Sequence, residues 1–245
     1  MDTLPPATNS FKYLGSTIMP GLHKDVKIRA RINKGTAQVS MMIKFYRAKN
    51  ISLKTKRNIF IATTMNTVLM GCKPWTMSES NCRRLVSFQH KCIRRILNIN
   101  MFQVERNRIK NETVRKQFNN IPHILDLNTL RQANWIGKMA MTEDERMPRK
   151  LLASWVNNPR KVRRPQLCYR QTFTRTINSI VDSDYNGTCK LWMPQATTHE
   201  WTEQIAKWWT TAYPTTDLDL AANSDLASNL SPTPPLYPPD WNAYR

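Results

Sequence analysis

The chain has 245 residues, 40% of them hydrophobic, and carries 37 Lys+Arg against 17 Asp+Glu for a formal charge of +20. That length and apolar content can bury one sizeable core or two small ones, which excludes a wholly disordered chain, and no window approaches the ~18 uninterrupted apolar residues of a membrane span. The start, Met1-Asp-Thr-Leu-Pro-Pro6, lacks the basic and apolar parts of a signal peptide, and five cysteines without a C-x-x-C pair support neither a disulfide framework nor a standard zinc module. The expectation is an intracellular protein with reduced thiols, no membrane association and no cofactor.

In chain order, Ser10 to Ile18 alternates apolar and polar residues in part and encloses Gly15, which predicts a short β-hairpin or edge pair. From there the apolar spacing turns helical. Ile28, Ile32, Val39, Ile43 and Tyr46 follow at steps of four, seven, four and three, with Lys27, Arg31 and Lys34 on a different face. Ser52 is a plausible N-cap for a second helix through Phe60, Met65, Val68 and Leu69, stopped by Gly71 and Pro74. A third, opened by Ser78 or Ser80, puts Leu85, Phe88, Cys92 and Ile96 on one stripe and Arg84, Lys91, Arg94 and Arg95 outside it.

Arg106 to Lys116 reads as a polar, basic stretch within a basic helical region from 101 to 213. Leu125 to Met141 resumes a helical pattern through Leu127, Leu130, Trp135 and Met139, with Asp126 as the acid of its first turn. Pro159 and Pro165 make Asn157 to Cys168 a loop crowded with Arg160, Lys161, Arg163 and Arg164. Beyond a Trp-rich segment beginning near Thr188, the Pro-, Asp-, Asn- and Ser-rich stretch from Pro214 predicts a disordered C-terminal tail. The fold class is mainly α: a helical bundle preceded by a short hairpin, divided as 1–20, 21–100, 101–213 and 214–245.

Charge is the strongest functional signal. Between Gly21 and Arg175 lie 33 of the Lys+Arg and only 8 of the Asp+Glu, a local charge of +25. Self-repulsion of that size is relieved by a polyanionic partner, so RNA or DNA is the first expectation. The candidate phosphate contacts are Lys27, Arg31, Lys34, Arg84, Lys91, Arg94, Arg95, Arg160, Lys161, Arg163 and Arg164. Cys82, His90 and Cys92 fall eight and two residues apart on one helix, a spacing that does not converge on a metal as i, i+4 does. The tryptophans Trp75, Trp135, Trp201, Trp208 and Trp209 read as core or interface residues before base-stacking ones.

Phe11-Lys-Tyr-Leu-Gly-Ser16 resembles the F-x-Y-L-G motif downstream of the palm in non-LTR retrotransposon reverse transcriptases, and collinear matches follow it. Ile51 to Lys56 is similar to the family's thumb segment, Gly71 to Trp75 to its Y-G-S-E-T-W, and Phe88 to Leu97 to its F-Q-x-K-C-L-R-R-I-L. Leu130 to Gly137 is similar to R-R-L-R-W-L-G-H, and Arg160 to Pro165 to the R-R-G-R-P run. The resemblance implies a thumb and post-thumb region, with Phe11, Tyr13, Leu14 and Gly15 as a primer-grip-like hairpin. The expected location is intracellular, in the nucleus.

The family's Tyr/Phe-x-Asp-Asp turn has no counterpart, and the pairs Asp182/Asp184 and Asp217/Asp219 are not preceded by a strand-rich palm. Lys138 stands where the family has His. The reading is thus a nucleic-acid-binding fragment that is not itself an enzyme. The alternatives are a thumb acting in trans with a separate palm, or a translated relic without function.

Overall fold

The computed structural model describes residues 11–13, 16–18, 24–143, 145–147, 169–181 and 199–214. The described chain is mainly helical and divides into two compact units, residues 1–126 and 127–245. The expected tail beyond Pro214 and the loop bearing Arg160, Lys161, Arg163 and Arg164 lie outside the described residues.

In the first unit, β1 (Phe11–Tyr13) and β2 (Ser16–Ile18) pair antiparallel, with Phe11 opposite Ile18 and Tyr13 opposite Ser16. Phe11 is 59% exposed; Leu14 and Gly15 lie outside the described residues, as does the Tyr13 side chain. The first helical run is α1 (Lys24–Met41) followed, after a break at Met42, by α2 (Ile43–Arg47). Ile28, Val39 and Tyr46 from the apolar series are buried.

Helix α3 (Leu53–Phe60) starts at the expected cap, where Ser52 Oγ accepts from the Thr55 backbone N–H at 3.1 Å. It does not run on as one α-helix. Ile61–Met65 winds as a π-turn before α4 (Asn66–Val68). Here Thr63 Oγ1 takes the Ile59 carbonyl at 2.7 Å. A β-branched run whose hydroxyl competes for a helix carbonyl loosens the i to i−4 ladder. Gly71 ends the segment at φ +71°, a conformation open to glycine at little cost.

Helix α5 (Glu79–Leu97) is capped by Ser78, whose Oγ accepts from the Asn81 N–H at 3.4 Å, and is closed by Asn98 at φ 57°. Its stripe is buried: Leu85 fully, and Phe88, Cys92 and Ile96 at 4–5% exposure. The helix packs on α1 because of Gly35. A Cβ there would stand 2.4 Å from Val68 Cγ2 and 2.9 Å from Phe88 Cζ. Gly35→Ala is therefore expected to destabilise the fold by about 1–2 kcal/mol, since overpacking costs about 1–3 kcal/mol and the gain in helix propensity returns at most about 1. Chemical denaturation measures this, and an unchanged midpoint would refute the tight approach.

The stretch from Arg106 to Lys116 is not featureless. A capping box, Gln103 N–H to Asn100 Oδ1 at 2.8 Å and Asn100 N–H to Gln103 Oε1 at 2.9 Å, opens α6 (Met101–Arg106). Helix α7 (Asn111–Gln117) follows and packs against α5, burying Val114 and then Phe118 and Ile121. Phe118 meets Phe60 edge-on at 5.9 Å, and Phe60 meets Tyr46 at 6.2 Å. This aromatic chain draws residues 101–121 into the first unit. The division between the two compact units falls at Asp126, inside α8 (Ile124–Ala140). Buried Gln89 anchors the start of α8: its Nε2 donates to the Pro122 carbonyl at 2.7 Å and its Oε1 accepts from the Ile124 N–H at 3.0 Å.

The second unit comprises the rest of α8 with α9 (Tyr169–Asn178) and α10 (His199–Ala212). Trp135 lies edge-on to Phe173 at 5.6 Å, and Trp201 Nε1 donates to the Ala133 carbonyl at 3.2 Å. Trp201 and Trp209 are buried, so these two indoles are core residues, while Trp208 is half-buried.

Candidate nucleic-acid interface

Between α1 and α5 lies a groove of about 630 Å³. One helical stripe of α1, Arg29, Ile32, Thr36 and Val39, forms one wall; α5 supplies the other through Ser87, Phe88 and Cys92. The lips are cationic: Arg29 from α1, and Arg83, Arg84, Lys91 and Arg95 from α5. Residues 83 to 95 span about 18 Å at 1.5 Å per residue. That matches about five nucleotide steps at 3.4 Å per strand.

Arg83 pairs with Glu79 one turn earlier, an exposed ion pair worth little and readily given up to a stronger anion. The other four groove cations have no acidic partner among the described residues. Two of them are held by neutral groups. Arg95 Nη1 donates to Ser40 Oγ on α1 at 2.8 Å, and Arg84 Nη1 reaches Asn81 Oδ1 at 3.4 Å. Asn81 in turn donates to Asp25 Oδ1 at 2.7 Å, tying the first turns of α1 and α5 together. Positive heads fixed by hydroxyl and amide oxygens keep their charge available for phosphate.

The expected basic residues do not all meet in this groove. Arg84, Lys91 and Arg95 do. Arg94 turns to the other side of α5, where it lines a recess of about 330 Å³ with Cys82, His90 and Asn111. Adjacent helix positions diverge by about 100°, so Arg94 and Arg95 cannot share a face. Lys27, Arg31 and Lys34 are likewise off the groove: Lys34 is exposed and Lys27 half-buried, on the side of α1 away from Arg29. Arg31 is corrected more strongly, being 9% exposed with its Nη1 donating to Met70 Sδ at 3.2 Å. Its guanidinium sits inside the packing of α1.

Sequence reasoning missed Arg29 and Arg83. Arg29 stands three, seven and ten residues before Ile32, Thr36 and Val39 on one helical stripe, but that this stripe faces α5 is not a property of α1 alone. Arg83 carried no comparable signal.

The smaller recess adjoins a buried histidine pair. The His90 and His123 rings are 6.4 Å apart. Burial pushes the His90 imidazole down to about 4, with repulsion from His123, Arg115 and Arg94 adding to it and a hydrogen bond to the Val86 backbone opposing it. Burial also lowers His123, against the pull of Asp126. Cys92 faces the groove side of α5, away from Cys82 and His90, and burial raises its thiol to about 12, which keeps it protonated. No group of three or more His, Cys, Asp or Glu residues among the described residues could hold a metal ion. No described helix is long and apolar enough to cross a membrane.

Comparison with protein-family models, curated proteins and solved structures finds no match to this chain.

Proposed function

We propose that the chain binds RNA or DNA through Lys and Arg contacts to phosphates, as a thumb-like helical bundle preceded by a short hairpin and related to the post-palm region of non-LTR retrotransposon reverse transcriptases. The observation that carries this reading is the α1/α5 groove, where four cations with no acidic partner among the described residues and a fifth in a weak surface pair line a span of several nucleotides. Phosphate contacts of this kind position a strand without reading its sequence.

Polymerase chemistry is not part of the proposal, because the sequence holds no Asp-Asp pair of the kind two-metal nucleotidyl transfer uses. Purified protein with Mg²⁺ or Mn²⁺ should incorporate no labelled nucleotide above a no-protein control.

Changing Arg29, Arg84, Lys91 and Arg95 together to Gln is the direct test. The variant should keep its helix content, since all four positions are exposed on the groove lips. Affinity should drop at least about tenfold for every sequence, and the slope of log K against log salt should flatten by about 3 to 4. Lys27→Gln with Lys34→Gln is the control and should cost little. Equal losses in the two variants would show that the charge is diffuse and the groove is not the site.

A further inference from the structure

The lips of the α1/α5 groove are charged, but its interior is mostly apolar. The apolar surface open to the groove is that of half-buried Ile32, with the 1–5% exposed edges of Val39, Phe88 and Cys92 beneath it. A duplex offers phosphates on a convex surface and keeps its bases stacked behind them, so it would bridge the lips and leave this floor uncovered. A single strand can turn its bases inward while its phosphates stay at the rim.

We propose that the groove is a single-strand site, with bases lying on the apolar floor and phosphates held by Arg29, Arg84, Lys91 and Arg95. This rests on the nucleic-acid reading above and specifies the form of its ligand. Charge complementarity selects the occupant: the groove combines cations with an apolar interior, and a single strand supplies a regular row of anions along one edge and apolar faces along the other. The guanidinium planes at the lips can also stack on bases. Sequence preference should be slight, because the Thr36 hydroxyl is already donated to the Ile32 carbonyl at 2.9 Å and Ser87 is the other hydroxyl lining the groove.

The test compares three fluorescent probes on the full chain at about 200 mM salt: a single strand of about ten nucleotides, an abasic strand of the same length, and a duplex. The phosphate number is the same in the first two, so their difference reports base contact alone. The natural strand should bind at least about tenfold more tightly than the abasic one, and more tightly than the duplex.

Equal affinity for natural and abasic strands would overturn the single-strand proposal and leave the phosphate reading intact, a result that needs no variant to fold. Tighter binding of the duplex would do the same. Failure to bind any of the three, at about 50 mM salt as well, would overturn both. Preferential capture of an acidic amphipathic peptide of alternating Glu and Leu would overturn the proposal in favour of a protein-docking groove.

Discussion

Affinity for a duplex is expected to fall several hundredfold between about 50 and 200 mM salt. Five groove cations, each neutralising a phosphate and releasing its condensed counterion, give a slope near −4.5 in log K against log salt, and a fourfold rise in salt then costs about 500-fold. Every further phosphate engaged by cations outside the groove adds a factor of about 3.5 to the loss. A contact set of six to ten phosphates, within reach of the +25 segment from Gly21 to Arg175, would carry the loss to about a thousandfold or more. A single strand should respond less steeply, with a slope near −3.5 for the same five contacts. Fluorescence anisotropy titrations at four or more salt concentrations measure this. A flat response would place the binding surface away from these cations.

Acid should destabilise the first unit well before its carboxylates are protonated. His90 has a folded value of about 4, set first by burial and then by His123, Arg115 and Arg94, against an ordinary value of 6.5. The unfolded chain therefore takes up a proton as pH falls through about 6.5, while the folded chain refuses it until about 4. The stability that neutral His90 contributes is fully present above the unfolded value and is lost across that window, with no further loss below it. The total is on the order of 3 kcal/mol, of which about 2 kcal/mol is gone by pH 5. His123 is displaced in the same direction and adds to the effect.

For a unit of this size the melting temperature should fall by about 10 °C between pH 7.5 and pH 5. His90→Gln, which cannot take up the proton, should flatten that dependence. Melting curves followed by circular dichroism decide the matter, and equal melting temperatures at the two pH values would mean that the pair is solvated in solution.

Several elements were legible before any coordinates because their causes are local. The Leu85/Phe88/Cys92/Ile96 stripe, the Ser52 and Ser78 caps and the helix through Leu127, Leu130 and Met139 depend on spacing and on hydrogen bonds within a few residues. Helix α7 was hidden for the complementary reason: its own segment is polar, and Val114, with Phe118 just beyond its end, gains meaning only from packing against distant partners such as Phe60.

The candidate site divides along the same line. The amino-acid sequence by itself determined that a basic, helical chain would carry Arg84, Lys91 and Arg95 off the apolar stripe of one helix. Only the tertiary structure decided that Arg29 joins them while Lys27 and Lys34 turn away, that Arg31 is buried, and that Arg94 faces a different recess. Charge and periodicity are properties of one helix, whereas a groove depends on which faces of two helices meet. That orientation follows from the close approach of α1 at Gly35 to Val68 and Phe88, residues 33 and 53 positions away in the chain.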